Sequence, residues 1–252
     1  MTTMTQRTFL RKLAIALSDV PESLRKGKKA GDASRKERGL KILEHIQHRT
    51  TRERLDLLDR MIAEARDVNL NVQTVKNIDS AGAHIQQLVK TRQPEQGMVK
   101  EVVAWRHRLI QDLDLETRFK AISVPLHLTD FTDTAEKAYL RTKIGTAFMG
   151  ITSADFCLAD SATMVLKTRP GQARSVSLVP SIHVAIIPLN RILADLNELY
   201  ALLQYDPEYH NEGLTRCMTF ITGPSKTADI EAVMVNGVHG PREVYIYILM
   251  GD

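Results

Sequence analysis

Short apolar runs alternating with helix-period segments constrain this chain more than any other feature. Residues 71–75 (NVQTV), 99–104 (VKEVVA) and 124–128 read as short strands. Between them, residues 80–91 carry Ala81, Ile85, Leu88 and Val89 at helical spacing, and residues 105–111 form a short helix or turn. This βαβ rhythm indicates an α/β domain with a mainly parallel sheet, because parallel strands need a long crossover that a helix usually supplies. In such sheets ligands tend to gather at the carboxyl ends of the strands, near a topological switch point.

The flanks fill in around that rhythm. Residues 5–17 form an amphipathic helix with Phe9, Leu10, Leu13 and Leu17 on its apolar face, and Pro21 ends it. Residues 25–38 (RKGKKAGDASRKER) hold seven Lys/Arg against Asp32 and Glu37, which reads as a solvated, mobile linker. The expected organisation is therefore an N-terminal helix and basic linker over residues 1–40 and one α/β domain over residues 41–252. Residues 35–67 are helical with a break near Arg49-Thr50-Thr51. Residues 134–149 read as a helix, followed by a turn at Gly150 and two short strands separated by Asp160-Ser161. Next come a strand over 175–188 bent by Pro180, an amphipathic helix over 191–204, a polar loop over 205–213, and strands over 216–222 and 243–250.

Composition excludes several classes. The 252 residues are 43% apolar, yet no run approaches the 18 or so apolar residues of a membrane span. The N-terminus lacks a small-residue cleavage site, so a cytoplasmic location is expected. Net charge is +4, but the basic stretch has no interleaved aromatic residues, which argues against nucleic acid and leaves an acidic partner or polyanionic cofactor open. Cys157 and Cys217 suit neither a disulfide scaffold nor a cysteine zinc motif. An iron–sulfur cluster ordinarily takes four thiolates, so none is expected within this chain alone. Both cysteines fall in expected strands, where a small buried apolar role is the simplest reading. No His, Asp or Glu spacing points to a metal.

The densest polar stretch lies near the C-terminus. Gly223-Pro224-Ser225-Lys226-Thr227-Ala228-Asp229-Ile230-Glu231 follows an apolar strand, and Val238-His239-Gly240-Pro241-Arg242 precedes the last one. Glycine permits a left-handed turn, proline fixes φ, and Ser225 or Thr227 would then cap a short helix with Asp229 and Glu231 in its first turn. Strand, turn and helix N-terminus together would offer free N–H groups to an anion, with Lys226 beside them. The same stretch is equally an ordinary capped turn, in which Asp229 complements the helix dipole. His239, between glycines and a proline, is the candidate for proton transfer, and Arg242 could clamp a carboxylate or phosphate through its planar fork. His183, inside an apolar run, is either a core histidine or a site residue. Asp155 would fix the turn after Gly150 through its side chain.

Three passages together resemble the lactate-utilization (LUD) domain family. They are GITSADFCLADSATMVL over residues 150–166, PSIHVAII over 180–187, and ITGPSKTADIE…GVHGPR over 221–242. The family reads roughly GITGADFAIAETGTLVL, PPVHIAVV and ISGPSRTADIE…GVHGPR in the same order and spacing. The resemblance covers about residues 40–250. It implies a Rossmann-like three-layer α/β/α sandwich similar to the sugar-phosphate isomerase and CoA-transferase group, here with an N-terminal helical extension. It also implies a part in cytosolic oxidation of L-lactate to pyruvate, as an accessory subunit beside cysteine-rich iron–sulfur partners, with a small anionic ligand at the Gly223 turn.

One departure matters. Where the family has Glu-Thr-Gly-Thr, this chain has Asp160-Ser161-Ala162-Thr163. In related CoA transferases a glutamate at a comparable turn attacks the acyl-CoA, so the alternative is an acyl- or CoA-transferase-like enzyme using Asp160, with His239 for proton transfer. A shorter side chain and a lost glycine both weigh against thioester chemistry. The expected site is thus Asp160 and His239 as catalytic residues. Gly223, Ser225, Lys226, Thr227, Asp229, Glu231, Arg242 and His183 would contact the ligand.

Overall fold

The computed structural model describes residues 22–95, 97–130, 134–212, 217–228, 234–236 and 240–251. In order, its elements are α1 (Glu22–Gln47), α2 (Thr51–Asp67), β1 (Asn71–Val75), α3 (Ile78–Thr91), β2 (Val99–Ala104), α4 (Arg108–Gln111), α5 (Leu115–Lys120), β3 (Leu126–Leu128), α6 (Thr134–Thr146) and β4 (Ala147–Ser153). There follow β5 (Phe156–Leu158), β6 (Thr163–Lys167), α7 (Ser175–Leu178), β7 (Ile182–Pro188), β8 (Ile192–Leu193), α8 (Leu196–Tyr205), α9 (Pro207–Glu212), β9 (Met218–Ile221), β10 (Lys226–Ala228), β11 (Met234–Asn236) and β12 (Glu243–Leu249).

Six strands form a sheet in the order β1-β12-β7-β4-β2-β3, and every neighbouring pair is parallel. Its central strands are apolar along their length because both faces are covered. On one face Ile182, Val184, Ile186, Tyr245 and Tyr247 pack against α3, α4 and α5. On the other, Ala185, Ile187, Ile246 and Ile248 pack against Met61 and Ala65 of α2, Val176 of α7 and the inner face of a smaller sheet. That smaller sheet has the order β8-β5-β6-β9. Its outer face carries Phe156, Leu158 and Val165, which meet Leu43 of α1, Leu199 and Leu202 of α8, and Tyr209 of α9. The expected three-layer α/β/α sandwich is present, and one of its helical layers includes this small sheet.

Several local expectations change. The basic stretch is helical backbone within α1, since Lys and Arg are good helix formers and Leu43 anchors the C-terminal half. The break between α1 and α2 is a capping box, in which Glu53 N donates to the Thr50 hydroxyl and Thr50 N donates to the Glu53 carboxylate. The segment read as a helix to residue 149 ends at Thr146, and residues 147–153 are the fully buried strand β4, so Gly150 lies mid-strand and not at a turn. A short apolar run has no periodicity that separates strand from helix. Residues 175–178 form α7, and the strand begins only after Pro180. The amphipathic helix starts at Leu196, where Asp195 accepts from the N–H groups of Asn197 and Glu198. The polar loop over 205–213 contains α9, with Pro207 in its first turn. The helix expected over residues 5–17 lies outside the described residues.

Candidate functional site

Two of the three motif passages meet at one end of the small sheet. β5 and β6 are antiparallel, with Phe156 opposite Val165 and Leu158 opposite Thr163, so Asp155 and Lys167 lie at one end and Asp160 and Thr163 at the other. β9 runs antiparallel to β6 and delivers Thr222 beside Thr163. The Ser161 hydroxyl donates to Asp160 Oδ1 at 3.0 Å, the Thr163 hydroxyl lies 2.9 Å from Ser161 Oγ, and Thr163 and Thr222 share a hydrogen bond of 2.7 Å. A chain of hydroxyls therefore joins the half-buried Asp160 carboxylate to the exposed residue just before Gly223.

The turn itself departs from expectation. Gly223 does adopt a left-handed conformation, with φ of 77°. Beyond it Lys226 and Thr227 belong to β10, which pairs antiparallel with β11, Lys226 opposite Asn236 and Thr227 opposite Val235. Thus no helix begins at Ser225 or Thr227, and the expected anion site at a helix N-terminus is replaced by a β-ribbon. A Ser/Thr-rich turn followed by acidic residues looks the same locally whether a helix or a hairpin follows; pairing with residues 234–236 decides. Ser225 N donates to Pro241 O at 2.8 Å and closes the base of the ribbon. Asp229, Glu231 and His239 lie outside the described residues.

Gly223 is fixed sterically as well as by φ. A Cβ built there would lie 2.4 Å from the Val68 carbonyl oxygen, at the C-terminus of α2. Gly223→Ala is expected to cost about 2–4 kcal/mol, the sum of left-handed backbone strain and a forced retreat of Val68. Urea unfolding measures it, and a cost below about 1 kcal/mol would show that the turn relaxes freely.

Arg242 and His183 occupy the amino-terminal edge of the large sheet. Arg242 N and Glu243 N both donate to Ser181 O, which joins the starts of β12 and β7. The Arg242 side chain is half-exposed and its Nε lies 3.3 Å from Glu95 Oε1. His183 is 0% exposed, and its Nε2 lies 2.8 Å from the Thr152 hydroxyl. Burial drives its pKa from 6.5 down to about 3. The sign of the linkage follows. Unfolded imidazole takes a proton as pH falls below about 6.5 while the folded ring does not, so the fold loses about 1.4 kcal/mol per pH unit until the folded ring protonates. His183→Phe is expected to flatten acid unfolding between about pH 6.5 and 4. An unchanged dependence of the urea midpoint on pH would mean that the folded ring accepts a proton.

The carboxyl edge, where a ligand was expected by analogy, is filled by the chain itself. From β2 and β4 the chain steps in opposite directions across the sheet, so the switch point lies between their carboxyl ends. Residues 167–173 cross it as a strap. Trp105 Nε1 donates to Ala173 O at 2.9 Å, the Thr129 hydroxyl to Gly171 O at 2.6 Å, and Arg169 Nη1 to Asp155 Oδ1 at 2.6 Å. Asp155 does bond backbone through its side chain, but it accepts from Lys167 N and not from the segment after Gly150. His107 lies beside this cluster with its pKa lowered by burial, against the pull of Asp155. These groups escaped the sequence reading because no motif joins them; only the closing of β2, β3 and β4 into one edge does.

Concavities of about 250 and 470 Å³ flank the edge strand β3, and one of about 480 Å³ lies between α1 and α8. Asp160, Gly223, Ser225 and Arg242 line none of these three. Cys157 is fully buried in β5 and its pKa is raised by desolvation, while Cys217, half-buried just before β9, accepts from Arg174 Nη1 at 3.2 Å. Among the described residues no group of three His, Cys, Asp or Glu is placed to hold a metal ion.

A doubly covered parallel sheet with an inserted small sheet, and a hydroxyl-lined seam between its Asp160 turn and a Gly223 ribbon, defines a Rossmann-like α/β protein of a particular kind. The family model of the LUD domain matches residues 58–249, and the chain belongs to that family. It is 35% identical over 155 residues to lactate utilization protein C of Halalkalibacterium halodurans, a match covering 61% of this chain and 65% of that one. Over 155 residues it is 36% identical to lactate utilization protein C of Shouchella clausii, covering 61% and 63%. The chain thus spans a little under two thirds of the length of these relatives. A DUF162 family protein from Deinococcus radiodurans has the same fold, with a TM-score of 0.50 at 17% identity over 78% of this chain and 98% of that one. Among the described residues no helix is long and apolar enough to cross a membrane.

Proposed function

We propose that this chain serves in lactate utilization, the role its relatives' names state for them, as a cytoplasmic accessory subunit that binds a small carboxylate at the Asp160–Gly223 seam. The observation that carries the reading is the hydroxyl chain from Asp160 through Ser161 and Thr163 to Thr222, which unites motif segments far apart in sequence. The hydroxyls suit an oxygen-rich ligand, and Arg242, which follows Pro241 at the ribbon base, would bring a positive charge to it on leaving Glu95. An electron-transferring cluster would reside in a cysteine-rich partner subunit, since this chain has two cysteines and one is wholly buried.

A thermal-shift screen with L-lactate, pyruvate, nucleotides, CoA esters and sugar phosphates tests the reading. A compound at a hundred times its dissociation constant adds about 2.7 kcal/mol, a rise of roughly 5–10 °C for a chain this long. The rise is expected with a monocarboxylate and expected to vanish in a Thr222→Val/Arg242→Ala variant. No rise with any compound sinks the proposal of a site in the isolated chain.

The second reading, acyl or CoA transfer by Asp160, is supported by one observation: the hydroxyl chain from Asp160 ends at Thr222, next to Gly223. Asp160→Asn separates the two. Turnover lost with fold and ligand binding retained favours the enzyme, and unchanged function removes it.

A further inference from the structure

Four residues other than glycine have positive φ among the described residues: Asn69, Asp114, Ser123 and Ala162. The first three are exposed and polar, and short polar side chains tolerate this conformation by bonding to nearby backbone. Ala162 has no such group. Its φ is 48° and it is 0% exposed, in the turn that carries Asp160 and Ser161. Left-handed backbone presses a Cβ against the following carbonyl oxygen, so a buried alanine stays there only where its surroundings hold it. Such places gather at binding sites.

What holds this one lies on both sides of the turn. Ala162 packs in the core between the two sheets, in the cluster that includes Cys157, Ala159 and Met164. Thr163 is opposite Leu158, which belongs to the outer face of the small sheet. The alanine methyl therefore faces inward, while the Thr163 hydroxyl stands on the outer side. The arms of the turn are tied as well. Ala159 N and Asp160 N donate to Leu193 O and Ala194 O at 2.8 and 3.2 Å, and Thr163 begins β6.

Ala162 also sets how close the hydroxyls come. Side chains two residues apart on an extended chain are spaced about 7 Å along it. Ser161 Oγ and Thr163 Oγ1 are 2.9 Å apart, and Thr163 Oγ1 is 3.3 Å from Ser161 O. The backbone between them folds back at Ala162. Ser161 in turn donates to Asp160 Oδ1 at 3.0 Å, so the fold at Ala162 gathers three polar side chains.

We propose that Ala162 is a positioning residue, whose left-handed backbone and buried methyl together hold Asp160, Ser161 and Thr163 in one arrangement for the small carboxylate. This rests on the seam reading above. Ala162→Gly keeps the turn accessible, since glycine takes positive φ freely, but it removes the methyl anchor and admits other conformations. The ligand must then order two or three side chains as it binds, an expected loss of affinity of about tenfold or more. Ala162→Ser keeps the Cβ but buries a hydroxyl, so it is expected to melt lower and still bind nearly as the unaltered chain does.

The test pairs NMR order parameters of the full chain with thermal shift, using pyruvate and L-lactate as the probes. In Ala162→Gly the backbone and threonine-methyl order parameters at residues 160–163 are expected to fall, with the rest of β5 and β6 unchanged. Stability and binding are expected to move independently: Ala162→Gly folds and binds weakly, Ala162→Ser loses stability and binds. Unchanged order at 160–163 in Ala162→Gly overturns the inference. Equal loss of binding in the two variants also overturns it, because the alanine would then serve stability alone. A looser turn that binds either probe as tightly as before overturns it too and leaves the seam reading standing. No thermal shift in the unaltered chain overturns both.

Discussion

Gly150→Ala is expected to cost at least about 3 kcal/mol and to lower the unfolding temperature by roughly 6–12 °C, or to yield no folded protein. The added Cβ would meet Val176 O at 1.9 Å, Val176 C at 3.0 Å and Pro180 Cγ at 3.2 Å. Two of these three atoms are backbone, so no rotamer change relieves the clash. Gly150 is not in a left-handed conformation, so the whole effect is steric, unlike that at Gly223. β4 is held on both sides, by β2 and β7, so α7 must move. Val176 is 0% exposed, and its displacement opens the layer between the two sheets. Thermal unfolding followed by circular dichroism checks this, and a cost near zero would mean that α7 is only loosely seated.

The second large effect is expected at the buried ion pair of Arg49 and Glu198. These residues are 7% and 8% exposed. Arg49 Nη2 lies 2.5 Å from Glu198 Oε1, Arg49 Nη1 donates to Ile192 O, and Glu198 Oε2 accepts from Ala194 N at 2.7 Å. The pair ties the α1–α2 connection to β8 and α8. Removing one partner strands the other charge away from water, so Arg49→Ala or Glu198→Ala is expected to cost about 3–5 kcal/mol. Replacing both together, as Arg49→Met/Glu198→Leu, is expected to restore most of that, because two desolvated charges roughly cancel their own attraction. A double-mutant cycle by urea unfolding reads the coupling. Additive losses would show that the two side chains act independently.

The site was legible in pieces and not as a whole. Asp160, Gly223, Ser225 and Arg242 stood out because special residue types were packed between apolar strands. That Thr163 and Thr222 would touch could not be read from either segment, since each is an ordinary strand end until β6 and β9 pair. His183 was ambiguous for a related reason: a histidine in an apolar run is neutral or charged according to what surrounds it, and Thr152 reaches it only through the register of β4 on β7. The ribbon of β10 and β11 resembles a helix start in sequence because the same cap signature precedes both. The basic stretch reads as a loop because it carries almost no apolar residues at helical spacing, the periodicity by which helices are recognised.

By itself the sequence determined the class of fold. Alternating short apolar runs and helix-period segments can bury their faces together in few ways, and a covered parallel sheet is the one that uses them all. It also marked Gly223 as a turn that needs glycine, whereas the close approach at Gly150, which the sequence presents as a turn, comes only from the packing of α7 on β4. Only the tertiary structure decided which edge of the sheet holds the motif residues. Local pattern specifies what each segment can be; which ends meet depends on strand order and register, and these are set by long-range pairing that no short window of residues contains.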